Sequence, residues 1–189
     1  MATVPITARL KLFYFSHLSK PATDRTIYRA IGRYRVRKIL ELGIGVGQRA
    51  VRMIRVAGLL NPIRQVHFVG MDLFESGPGA SGPSIPLKAA YRLLHGTGAR
   101  VQLVPGDPID SLAQTANALR QVDLLIFTSR LDPTRLDRAW FYVPRLLHEQ
   151  SQVYVENRLP DGGISLKRVA PQEIRNLAAV AACARRRAA

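Results

Sequence analysis

Acidic residues are scarce: 13 Asp and Glu stand against 28 Lys and Arg in 189 residues, a formal net charge of +15. Cysteine is nearly absent, with Cys183 alone, which excludes an intramolecular disulfide framework and fits a reducing compartment. No apolar run approaches the roughly 20 residues needed to span a bilayer. The first residues also lack the continuous apolar core of a secretory leader, because Lys11, Ser16, His17 and Ser19 interrupt it. These absences predict a cytoplasmic protein without membrane insertion. The four histidines show no metal-ligand spacing such as H-x-x-x-H, and no metal is expected. The excess of cations matches a nucleic-acid binder, yet it is spread along the chain, and the only dense block is Arg185-Arg186-Arg187. Charge alone therefore favours a solvated Arg-rich surface, with nucleic acid, an anionic lipid or an acidic partner as the alternatives it admits.

With 47% hydrophobic and 22% charged residues the chain reads as folded rather than disordered. Its length suggests one domain, and a core burying roughly 70% of the unfolded surface requires no disulfide or metal. From residue 37 onward strand and helix signals alternate. Lys38-Ile39-Leu40-Glu41-Leu42 is a short apolar run ending in glycines. Over 48–58, Ala50, Val51, Ile54 and Ala57 fall on one helical face. Further strands are predicted at 66–71, 101–104, 122–127 and 152–156, with a sixth at 164–169 antiparallel to the fifth. Helices are predicted over 21–33, 87–95, 109–119, 133–148 kinked or interrupted at Pro144, and from Pro171 to about Ala182. The Gly-, Pro- and Ser-rich stretch 75–86 is a loop, long enough to act as a lid and equally readable as a merely disordered connection. Parallel strands require crossover connections, so the alternation predicts a doubly wound α/β sandwich with a mostly parallel sheet. Residues 1–36 form an N-terminal helical cap in this reading, 37–156 the core, and 157–189 a C-terminal strand and helix.

The most informative stretch is Glu41-Leu42-Gly43-Ile44-Gly45-Val46-Gly47-Gln48, between the first strand and its helix. Glycines permit a tight turn and close approach of a ligand to the backbone, and the following helix directs free N–H groups toward it. A dinucleotide fingerprint G-x-G-x-x-G begun at Gly43 requires glycine or alanine where Gln48 stands. That disfavours a nicotinamide oxidoreductase. The pattern present is E-x-G-x-G-x-G, with an acidic residue inside the strand; a carboxylate within an apolar strand is costly to bury without a partner. Asp72 follows the second strand and Asp107 the third, at strand ends where open α/β sheets bind ligands.

This combination resembles motif I and its acidic companions in class I S-adenosylmethionine-dependent methyltransferases, over roughly 37–156. The segments Ser19-Lys20-Pro21-Ala22-Thr23-Asp24-Arg25 and Trp140-Phe141-Tyr142-Val143-Pro144-Arg145 are similar to a small bacterial family of the same fold, which brings no acceptor with it. The resemblance implies S-adenosylmethionine as cofactor and a site of Glu41, Gly43, Gly45, Gly47, Gln48, Asp72, Leu73, Gly106 and Asp107. Asp72 would accept the ribose hydroxyls and Asp107 would lie near the adenine. After the fourth strand, Phe127-Thr128-Ser129-Arg130-Leu131-Asp132-Pro133 lacks the Asn/Asp-Pro-Pro-Tyr/Phe signature of amino-group methylation and a paired-carboxylate metal site. Ser129 and Asp132, with Arg130 beside them, and His148 as a base are the candidate catalytic residues. The expected function is methyl transfer to an unidentified acceptor. The alternative is a catalytically silent protein of the same fold that binds nucleic acid or a protein partner.

Overall fold

The computed structural model describes residues 5–74 and 83–187. Lys38–Leu42 form the first strand, β1, whose last four residues are fully enclosed. It pairs in parallel with β2 (His67–Asp72) on one side and with β4 (Leu124–Phe127) on the other. Beyond β2 lies β3 (Arg100–Pro105), and beyond β4 lies β5 (Gln152–Arg158), both parallel. The far edge is β6 (Ile164–Val169), the one antiparallel strand among the described residues, giving the order β3-β2-β1-β4-β5-β6.

Strands as apolar as β1 and β4 must be covered on both faces. Helices α2 (Asp24–Tyr34), α3 (Gln48–Gly58) and α4 (Leu87–His95) cover one face, packing Ile31, Met53, Ile54 and Leu94 against Ile39, Phe68 and Ile126. Helices α5 (Pro108–Thr115), α6 (Pro133–Ala139), α7 (Val143–Leu146) and α8 (Pro171–Arg187) cover the other, with Leu112, Trp140 and Leu146 against Leu40, Val69 and Leu125. Alternation along β1 sends Leu40 and Leu42 toward α5, and Ile39 and Glu41 toward α3. The result is the expected three-layer α/β sandwich. From β1 the chain moves outward through β2 to β3, then returns to the other side of β1 as β4. This reversal leaves a crevice at the carboxyl ends of β1 and β4.

Several boundaries differ from the sequence reading. The helix expected over 133–148 is two short helices, α6 and α7, and Pro144 sits in the opening turn of the second. Proline lacks the N–H that a helix interior needs but suits a first turn, so the segment is interrupted, one of the two outcomes expected at Pro144, and the proline opens α7. Helix α5 ends at Thr115, whereas α8 runs on to Arg187. An additional helix, α1 (Ile6–His17), precedes α2. Its apolar residues lie on both faces and so hide the period-3.6 stripe that marks an amphipathic helix. Most of the expected lid loop, 75–82, lies outside the described residues; 83–86 has no regular structure.

Candidate functional site

Gly43, Gly45 and Gly47 all adopt positive φ, at 88°, 64° and 77°, where side chains are disfavoured. At Gly43 a second reason applies: an added Cβ would lie 2.1 Å from Thr128 Oγ1 at the end of β4. The loop is bolted to both neighbouring strands. Gly43 N donates to Met71 O at 2.8 Å, and Thr128 N donates to Leu42 O at 3.1 Å. Gly45 N donates to Asp72 Oδ2 at 2.8 Å. Among the described residues no side chain caps the start of α3, so its first-turn N–H groups face a ligand uncapped by them.

A cavity of about 650 Å³ opens at the reversal. The glycine loop with Gln48 and Arg49 forms one wall, Thr128–Arg130 with Glu156 and Arg158 another, and residues 21–24 cover it from the N-terminal helices. Beside it a cleft of about 80 Å³ runs past Gly43, Asp72, Leu73 and Asp107. Arg130 lines both spaces. Its Cδ, Nε and Nη1 come within 3.3–3.4 Å of where a Cβ on Gly45 would stand. The side chain thus lies across the glycine loop.

Glu41 does not line the cavity. It is fully buried behind the loop, and its Oε1 accepts from Arg49 Nε at 2.8 Å and lies 2.8 Å from Arg49 Nη2. Its Oε2 has no hydrogen-bond partner among the described residues. Arg49 Nη1 donates to Glu156 Oε1 and stands 3.8 Å from Asp24 Oδ1. Glu156 Oε2 accepts from Ser129 N at 3.0 Å. One guanidinium therefore ties together β1, β5 and the start of α2. Burial pushes the Glu41 carboxyl up to about 7; Arg49 opposes this, while Glu156 and Asp24 add to it. Asp24 is raised too, again chiefly by burial and against the pull of Arg49. Burial acts to lower Arg49, but its carboxylates outweigh burial and hold it above its ordinary range.

Asp72 is 5% exposed and faces the cleft, with its two oxygens accepting from Gly45 N and, at 3.2 Å, from Phe74 N. Gly106 N donates to Asp72 O at 3.0 Å, which joins the ends of β2 and β3. Asp107 caps α5 by accepting from the N–H groups of Ile109 and Asp110, and pairs with Arg135 Nη1 at 2.6 Å. Asp132 caps α6, accepting from Thr134 N at 2.9 Å and from its hydroxyl at 2.7 Å, and these bonds lower its pKa. It borders the cleft, and Ser129 borders the larger cavity.

His148 belongs elsewhere, which corrects its reading as a base of this site. Its Nε2 is 2.8 Å from Asp123 Oδ1, and Asp123 also accepts from the N–H groups of Arg37 and Lys38 at the start of β1. That cluster is at the amino ends of the strands, across the full length of β1 and β4 from the glycine loop. The sequence reading missed Arg49 and Glu156. Glu156 carried a signal, an acid at the carboxyl end of an apolar strand, as Glu41 did; Arg49 read as an ordinary surface position in a helix's first turn. Among the described residues no cluster of His, Cys, Asp and Glu could hold a metal ion.

No protein-family model matches the sequence, and no curated protein does. Solved structures do. An O-methyltransferase from Bacillus cereus in complex with S-adenosylhomocysteine superposes at TM-score 0.56 and 18% identity, over 97% of this chain and 81% of that one. TomG from Streptomyces achromogenes, an O-methyltransferase of tomaymycin synthesis in complex with S-adenosylmethionine, gives 0.54 and 13%, over 95% and 79%. A Staphylococcus aureus protein assigned as a caffeoyl-CoA O-methyltransferase gives 0.53 and 13%, over 82% of this chain; the match spans 66% of that protein's length. The fold is that of class I methyltransferases.

Proposed function

We propose that the chain binds S-adenosylmethionine across the glycine loop and transfers its methyl group to an acceptor held in the 650 Å³ cavity. The observation that carries this reading is the cavity's place: at the sheet reversal, against a loop of three positive-φ glycines, with Asp72 at the adjacent strand end. The residues present fit such a cofactor. Each Asp72 oxygen accepts one backbone N–H, from Gly45 of the glycine loop and from Phe74, and carboxylate oxygens have further lone pairs with which to accept the ribose hydroxyls. The uncapped start of α3 suits the cofactor's carboxylate. Leu73 and Ile109 offer the cleft's apolar surface to the adenine, near Asp107. The B. cereus and S. achromogenes complexes support the same cofactor.

When bound, the sulfonium supplies an electrophilic methyl carbon. The chain's own contribution is positioning and exclusion of water. Asp24 and Glu156, the carboxylates that line the cavity, both face Arg49. They fix the cavity wall rather than stand ready as a base. Calorimetry with S-adenosylmethionine and S-adenosylhomocysteine tests the reading. Both should bind, and Asp72→Asn should weaken them by about tenfold or more, equivalent to ~1.4 kcal/mol. Absence of binding by either at millimolar concentration overturns it.

A further inference from the structure

Helix α1 uses both of its faces. Ala8, Leu12, Phe15 and Ser16 face inward, Leu12 and Phe15 packing on the core beneath α2 and α3. On the opposite side Ile6, Leu10, Phe13, Tyr14 and Leu18 are 54–76% exposed. At 3.6 residues per turn these five span an arc of about 140°. Arg9 stands at one border of that arc and Lys11 at the other, both exposed. Within it, Thr7 and His17 are the polar members, and His17 stacks on Phe13 at 4.6 Å. The first 23 residues contain no acidic side chain, and Lys20 adds a third cation just beyond the helix.

An exposed apolar patch of this size marks an interaction surface. A wide apolar face bordered by Lys and Arg is the pattern of a helix lying in the plane of a membrane interface. Among the described residues no helix is long and apolar enough to cross a membrane, which leaves surface attachment. We propose that α1 docks on the surface of an anionic lipid bilayer, with Ile6, Leu10, Phe13, Tyr14 and Leu18 at the acyl boundary and Arg9, Lys11 and Lys20 among the headgroups. Charge complementarity selects this occupant. A second copy seated on the same face would bring its own Arg9 and Lys11, and no carboxylate from this segment to meet them. The chain's net charge of +15 also favours approach to an anionic surface. Because α1 leads within a few residues into the 21–24 segment over the cavity, docking would set the cavity's rim beside the membrane.

Co-sedimentation of the full chain with vesicles tests this independently of any cofactor. Phosphatidylcholine vesicles are compared with vesicles containing phosphatidylglycerol at three parts in ten. We expect at least tenfold stronger binding to the anionic vesicles. Leu10→Ser/Phe13→Ser should lose that binding about tenfold, while circular dichroism stays unchanged because both side chains are exposed. Arg9→Ser/Lys11→Ser should reduce the preference for anionic lipid. Three results overturn the proposal: no binding to phosphatidylglycerol vesicles; undiminished binding by Leu10→Ser/Phe13→Ser, which would assign it to cations such as Arg185–Arg187; or a wild-type dimer in light scattering that Leu10→Ser/Phe13→Ser converts to monomer.

Discussion

Arg49 presents two guanidinium nitrogens to a single oxygen of Glu41, Nε and Nη2 each 2.8 Å from Oε1. The other oxygen, Oε2, is buried and has no hydrogen bond among the described residues. The same guanidinium spends its remaining nitrogen on Glu156. A fully buried carboxylate is tolerable here because its one partner is itself anchored at both ends of the cavity wall.

Removing that partner should be expensive. Arg49→Met leaves Glu41 enclosed and unpaired, which costs roughly 3–5 kcal/mol in comparable buried pairs. Urea unfolding should show that loss. The double variant Arg49→Met/Glu41→Gln should recover only the part due to Glu41, because Asp24 and Glu156 lose the same partner.

Glu41 also gives stability a particular pH dependence. Its folded pKa of about 7 lies above the ordinary 4.5, so the folded state binds more protons than the unfolded state between those values. Its contribution is therefore fully present below about pH 4.5 and is lost as pH rises through about 7, on the order of 3 kcal/mol. Asp24, also raised, acts in the same direction. Unfolding midpoints from pH 4.5 to 8 should fall more steeply for the wild type than for Glu41→Gln.

Gly43→Ala tests the loop itself. The new methyl group would meet Thr128 Oγ1 at 2.1 Å and would also hold φ at 88°. Strain of this kind costs of order 1–3 kcal/mol. Adding Thr128→Ala should relieve the clash but not the φ penalty, so thermal unfolding of the double variant should fall between Gly43→Ala and the wild type.

Arg130 crosses the loop and borders the cleft at Asp72. That cleft, about 80 Å³, is well below the roughly 300 Å³ of an ordinary small-molecule site. Arg130→Ser should widen it and raise affinity for S-adenosylhomocysteine several-fold in calorimetry. The gain should be larger for S-adenosylmethionine, whose sulfonium is additionally relieved of a nearby cation.

The sequence by itself determined the order of strands and helices, because β-branched runs, helical spacing and glycine or proline at element ends are carried by near neighbours in the chain. It also located the glycine loop, and it marked Glu41 as an acid that must find a partner. It did not reveal α1, whose two apolar faces cancel each other's period. Nor could it name Arg49, Glu156 and Asp24 as one cluster, or separate His148 from the crevice. Those assignments depend on which strands lie side by side and which ends they share. Only the sheet order, with β1 between β2 and β4, brings Glu156 within reach of a helix 107 residues earlier, and it puts His148 at the opposite end.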